Sequence, residues 1–157
     1  MCDPKRRASH LEKEKDEMEE LLKEPYTIRS NSGSLPVCSL NMHCISNWVY
    51  PESKTFRTYQ FKIVRASLFE NTLVTLPTGL GKTFIASTVM FNYYRWFSKG
   101  QIFFLAPTKP LVSQQVEAFT NTITEVPLSD IAECTGSLNL EKRKEAYKMK
   151  RIFFMTP

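Results

Sequence analysis

Leu76-Pro77-Thr78-Gly79-Leu80-Gly81-Lys82-Thr83 decides how this chain is read. The apolar run Thr72-Leu73-Val74-Thr75 leads into it, and a stretch with helical periodicity follows. Strand, Gly-Lys-Thr loop and helix, in that order, form the context in which such a loop holds phosphate. Loop N–H groups and the start of the helix converge on one point and favour an anion there. Gly79 and Gly81 let the backbone approach phosphate with no Cβ in the way. Lys82 sets a positive charge on β- and γ-phosphates, and the Thr83 hydroxyl ligates Mg²⁺ in this pattern. Pro77, Thr78 and Leu80 complete the loop. A Gly-rich turn that ends by chance in Lys-Thr is the alternative, and the flanking pattern disfavours it. Leu76 stands where the general phosphate-loop pattern has its first glycine. That departure disfavours small-molecule and nucleoside kinases, which usually keep the glycine.

A chain of 157 residues is long enough for one domain with a core. Its 42% apolar and 24% charged content is that of an ordinary globular protein. No apolar run approaches the length of a membrane span, and no secretory leader is visible, so no membrane partner is expected. Cys2, Cys38, Cys44 and Cys134 are scattered. Cys38, His43 and Cys44 are close together but lack paired zinc-ligand spacing, so free thiols in a reducing compartment are the expectation. The charge is uneven. Residues 1–50 carry 7 Lys/Arg and 8 Asp/Glu, whereas residues 51–157 carry 14 and 8. Positive charge therefore gathers on the part that holds the loop, which suits a nucleic-acid partner.

Residues 1–47 read as a tail and linker. Ser9 and Glu12 suit a capping box opening a charged helix to Lys23, either a solvated or disordered stretch or a partner helix. Residues 25–47 are rich in Ser, Asn and Pro. From Trp48 the pattern becomes regular. Helices are expected over 57–69, 83–97, from Pro110 through Ile123, and over 140–150. Strands are expected over 72–76, 101–106, 130–134 and 151–155. The alternation implies an α/β fold with a mostly parallel sheet and helices on both faces.

Arg57-x-Tyr59-Gln60 heads a helix 22 residues before Lys82. A Gln amide offers one donor face and one acceptor, which match adenine N6 and N7. A surface helix cap is the plain alternative for Gln60, and Phe56 and Tyr59 are given no role. Ala106-Pro107-Thr108-Lys109-Pro110-Leu111-Val112 follows the second expected strand, with Gln114 and Gln115 on the next helix. Thr108, Lys109 and Pro110 sit where strand meets helix, an arrangement suited to nucleic-acid phosphates. Thr135-Gly136 and Thr156-Pro157 repeat it after later strands, so the strand ends could form a row; a turn with a helix cap is the alternative for each. Lys142, Arg143, Lys144, Lys148, Lys150 and Arg151 form a basic cluster, read equally as a solvated face or a DNA contact.

Arg57-Thr-Tyr-Gln60, the phosphate loop, Ala106–Val112, Thr135-Gly136 and Met155-Thr-Pro157 resemble, in order, the Q-motif and motifs I, Ia, Ib and Ic of superfamily 2 helicases. Trp48-Val-Tyr-Pro51, Phe69-Glu-Asn-Thr72 and Asn92-Tyr-Tyr-Arg-Trp-Phe97 narrow the resemblance to the Fanconi anaemia group M family. It covers residues 48–157. It implies a RecA-like domain of a DEAH-type, ATP- and Mg²⁺-dependent DNA helicase or translocase, moving 3′ to 5′. It also implies branched DNA as substrate, DNA repair in the nucleus, and repair-complex proteins as partners. On this likeness Arg57, Gln60 and residues 77–83 hold ATP, with Lys82 and Thr83 acting on its phosphates. Thr108, Lys109, Pro110, Gln114, Thr135, Gly136 and Thr156 meet nucleic acid. No Asp-Glu pair follows Arg57, and a second RecA-like domain is missing. The chain therefore reads as the incomplete first part of domain 1, stopping before the DEAH motif and not catalytically competent alone. In related folds the phosphate-loop strand is central, so strand 72–76 is expected to be under-paired. The alternative function is a truncated, non-catalytic module that binds nucleotide or DNA.

Overall fold

The computed structural model describes residues 39–51, 55–136 and 138–157. The tail helix and most of the linker expected from the sequence lie outside them.

Helix α1 (Thr58–Phe69) is followed by the phosphate loop and α2 (Lys82–Trp96). Next come strand β1 (Ile102–Leu105), helix α3 (Lys109–Thr122) and strand β2 (Ile131–Cys134). Helix α4 (Leu140–Met149) and strand β3 (Ile152–Met155) complete the order. Local chemistry sets the ends. Gly81 precedes α2 at φ 87°, a left-handed conformation open to glycine at little cost. Pro110 sits in the first turn of α3, where its missing N–H costs no helical bond. The Asn139 side chain caps α4 by accepting from the Glu141 N–H at 2.7 Å.

The sheet is parallel, in the order β1-β3-β2. Its strands alternate sides, and the two faces are covered by different helices. Ile152 and Phe154 point into a core with Val112, Phe119 and Met90 from α3 and α2. Phe153 points the other way, against Tyr147 of α4. Phe119 and Ile152 are fully buried, and burying one such side chain contributes about 1.5–3 kcal/mol. Helix α1 packs on α2 through Val64, Leu68, Ile85 and Trp96.

Residues 39–47, grouped with the linker by composition, are docked on α2. The Asn41 N–H donates to the Trp96 carbonyl at 2.7 Å, and Trp96 Nε1 donates to the Asn47 carbonyl at 2.9 Å. Asn92, fully buried, grips Val49 at both its N–H and its carbonyl.

The expected strand over 72–76 is not formed: residues 71–77 have no ladder partner, and Leu73 is 89% exposed. A strand needs a neighbour about 4.8 Å away to pair its N–H and C=O groups. Here a cavity of about 840 Å³ opens between Val74 on one side and Phe103–Leu105 on the other. Strand β1 is left as a sheet edge among the described residues, with Phe103 and Leu105 half-exposed.

Candidate nucleotide and nucleic-acid site

The phosphate loop runs from Leu76 into the first turn of α2. Gly79 and Gly81 have φ of 85° and 87°, and no other described residue has left-handed backbone. At Gly79 a Cβ would meet nothing, so the loop mouth is open there. At Gly81 a Cβ would fall 2.2 Å from Gln60 Nε2. Left-handed φ favours glycine at 81, and a Cβ there would also push the Gln60 amide out of place. No side chain caps the start of α2, so its first N–H groups are available to an anion.

Lys82 is turned back on its own loop. Its ammonium donates to the carbonyls of Leu76 at 2.5 Å and Pro77 at 3.1 Å. This holds a cation beside the loop with neutral carbonyl partners. The Thr83 hydroxyl donates to Gln115 Oε1 of α3 at 2.9 Å. Lys82, Thr83, Gln114 and Gln115 line the same cavity. The open glycine cradle, the uncapped helix start, the poised ammonium and the hydroxyl together fit a nucleoside triphosphate with Mg²⁺.

Gln60 is 5% exposed, so the surface-cap alternative fails. Its Nε2 donates to the Leu80 carbonyl at 3.0 Å, and the Tyr59 hydroxyl donates to the same oxygen at 2.9 Å. The start of α1 therefore fastens the phosphate loop from outside. Arg57 is exposed, and its Nη1 donates to the Tyr59 hydroxyl at 3.1 Å. The sequence reading gave Tyr59 no role, yet it holds the loop as directly as Gln60 does. Its place beside Gln60 in the first turn was the available signal. Tyr50 packs on Phe56, Phe61 and Phe84 next to this cluster. Burial, with the nearby Tyr59 adding to it and Arg57 opposing, pushes its phenol up to about 12.

Parallel register brings the strand ends together. Leu105 and Cys134 both pair with Met155, so the segments after β1, β3 and β2 leave one edge of the sheet side by side. Thr108, Thr156 and Thr135 follow these three ends. Thr108 is the N-cap of α3, and Lys109 and Pro110 are exposed in its first turn. Gly136 is exposed with open space around it, whereas Thr135 is 7% exposed and its carbonyl accepts from Arg143 Nη2. Lys142, Lys144 and Lys148 are exposed on α4. Arg151 leaves this cluster. It stacks 3.8 Å from the Tyr94 ring centroid and donates to the carbonyls of Tyr94 and Phe97, closing the end of α2. Among the described residues no group of His, Cys, Asp and Glu could hold a metal ion by itself. No described helix is long and apolar enough to cross a membrane.

Residues 53–157 match the family described as "Type III restriction enzyme, res subunit". The fruit-fly protein "DEAD-box ATP-dependent DNA helicase Fancm" is 55% identical over 111 residues, which are 71% of this chain. The fission-yeast "ATP-dependent DNA helicase fml1" is 53% identical over 75% of the chain. The mouse "Fanconi anemia group M protein homolog" is 54% identical over 70% of it. The chain belongs to that family, in its Fanconi anaemia group M branch. The same matches span 7%, 14% and 5% of the lengths of these three relatives. Among solved structures, the Pyrococcus furiosus Hef helicase domain is 36% identical with a TM-score of 0.57, covering 64% of this chain and 21% of that one. The UvsW helicase of bacteriophage T4 aligns with a TM-score of 0.54 at 20% identity, over 73% of this chain and 40% of that one, and shares the fold. The architecture is thus that of a RecA-like helicase domain. The fruit-fly and fission-yeast relatives carry names of ATP-dependent DNA helicases, so ATP and DNA are the ligands against which the site is read.

Proposed function

We propose that this chain supplies the phosphate-loop wall of the ATP cleft in a DNA helicase or translocase that moves 3′ to 5′ and remodels branched DNA. Forks and four-way junctions in nuclear DNA repair are the substrates and setting in this reading, with repair-complex proteins as partners. The observation that carries it is Lys82, held over its own loop by Leu76 and Pro77 beside an uncapped helix start. ATP with Mg²⁺ supplies the scissile phosphoanhydride and the charge neutralisation.

The chain's own residues do the following. The loop N–H groups bind phosphate oxygens, and Lys82 leaves its carbonyls to add charge at the β- and γ-phosphates. Thr83 offers its hydroxyl oxygen to the metal. Gln60, Tyr59 and Arg57 hold the loop and face the base. Thr108, Lys109, Pro110, Gln114, Gly136 and Thr156 track the nucleic-acid backbone along the strand-end edge, with Thr135 buried beside Gly136.

No Asp-Glu pair, the type that would help hold Mg²⁺ and position the attacking water, follows Arg57. Turnover in this reading belongs to the whole protein. A non-catalytic nucleotide- or DNA-binding module is the second reading, favoured by the unpaired segment 71–77 and by the lack of an Asp-Glu pair after Arg57. The test is DNA-stimulated ATP hydrolysis by the whole protein, with and without Lys82→Ala. Hydrolysis lost in the variant with DNA binding kept supports the helicase reading. Equal hydrolysis in both sinks it.

A further inference from the structure

The Thr83 hydroxyl is already engaged, and its partner comes from another element. It donates to Gln115 Oε1 at 2.9 Å, bridging the first turn of α2 to the second turn of α3. Both side chains are half-buried, and both line the cavity that Lys82 enters. The direction of the bond is informative. A hydroxyl that gives its proton to an acceptor keeps its oxygen lone pairs for a cation. A neutral amide oxygen takes that proton without placing a second charge beside the loop. Acceptors one step removed from a metal fix the orientation of the ligand they hold and tune affinity.

We propose that Gln115 is the positioning residue for Thr83: its amide oxygen holds the hydroxyl proton and leaves the Thr83 oxygen free for Mg²⁺. The inference rests on reading the phosphate loop as a Mg²⁺-nucleotide site. It assigns α3 two tasks, since the helix begins at Thr108, Lys109 and Pro110 on the nucleic-acid edge and reaches the phosphate loop two turns later. Placement of α3 then bears directly on the metal side of nucleotide binding.

The experiment is calorimetric titration of the 157-residue chain with ADP, once with Mg²⁺ and once with EDTA. Mg²⁺ strengthens ADP binding by the unaltered chain. In Gln115→Leu that strengthening falls about tenfold, while affinity in EDTA is unchanged. Gln115→Ala gives the same result, so the outcome does not hinge on how leucine packs. Gln115→Glu keeps an acceptor at the position and restores the Mg²⁺ effect. An undiminished Mg²⁺ effect in Gln115→Leu overturns the proposal. So does an equal loss with and without Mg²⁺, which marks a packing role. If Lys82→Ala abolishes binding while Gln115→Leu changes nothing, the nucleotide site stands and this inference alone fails. ADP binding that ignores Lys82→Ala, or is absent from the unaltered chain, overturns both.

Discussion

The side-chain amide of Gln60 lies 3.0 Å from the Leu80 carbonyl and donates to it, so a residue at the head of α1 holds the phosphate loop 20 positions away. One N–H of that amide is used. The amide also has a second N–H and an oxygen, the donor and acceptor pair that adenine needs and guanine does not match.

Gln60→Ala therefore weakens nucleotide binding and narrows the preference for ATP over GTP. Competition binding with the two nucleotides measures this. A preference that survives the substitution removes Gln60 from the base site and leaves it a loop fastener only.

Gly81→Ala is the more damaging change in the same contact. Left-handed φ at a non-glycine residue costs about 1–2 kcal/mol, and the new Cβ would lie 2.2 Å from Gln60 Nε2. Urea unfolding is expected to show a loss larger than for Gly79→Ala, where φ is also positive but space is open. The double variant Gly81→Ala with Gln60→Ala recovers the part due to the clash, a coupling read from the double-mutant cycle. Equal losses at the two glycines contradict the packed contact.

Asn92→Ala tests the docking of residues 39–51. Asn92 donates to the Val49 and Thr88 carbonyls at 2.8 and 2.9 Å and accepts from the Val49 N–H at 2.7 Å. Removing it strands two backbone groups of Val49, at a cost of about 2–4 kcal/mol. Chemical denaturation gives the value. A loss below about 1 kcal/mol, within the net worth of one ordinary hydrogen bond, means that the segment is not held there.

Most of the architecture could be read from period and punctuation. Helix α2, the Pro-started α3 and the apolar strands 102–105 and 152–155 fall within a residue or two of expectation. The segment 72–76 could not be read this way, and only the resemblance led to expecting it under-paired. Its apolar run is that of a buried strand, but a strand exists only beside a partner, and pattern alone says nothing of partners. Arg151 was illegible for a related reason. In sequence it continues a basic run, and only the fold shows its guanidinium stacked on Tyr94 and spent on two carbonyls. At the site, spacing singles out the glycines, Lys82 and Gln60 as candidates. The contacts of Tyr59 and Gln115, with partners 21 and 32 positions away, belong to the fold and not to the spacing, as does the contact of Gln60 with Leu80.

Alkaline pH should destabilise the fold. Burial raises the phenols of Tyr50, Tyr93 and Tyr94, with Asp130 adding to the effect at Tyr94 and Tyr50 reaching about 12. A folded-state value above the unfolded one means that the unfolded chain loses its proton first. The stabilisation is whole below about pH 10, the unfolded tyrosine value, and is lost as pH rises toward 12. Thermal melts from pH 8 to 11 are expected to show Tm falling above pH 10, less steeply in Tyr50→Phe. Identical slopes in the two proteins contradict the assignment to Tyr50.

Nucleotide binding decides whether Lys82 sits in a formed phosphate site. ADP binding to the 157-residue chain with Mg²⁺, compared with Lys82→Ala, tests it most directly. Saturable binding by the unaltered chain and its loss in the variant are expected, with far-UV spectra unchanged because the Lys82 side chain is exposed. Binding that persists in Lys82→Ala, or no binding by either chain, contradicts it.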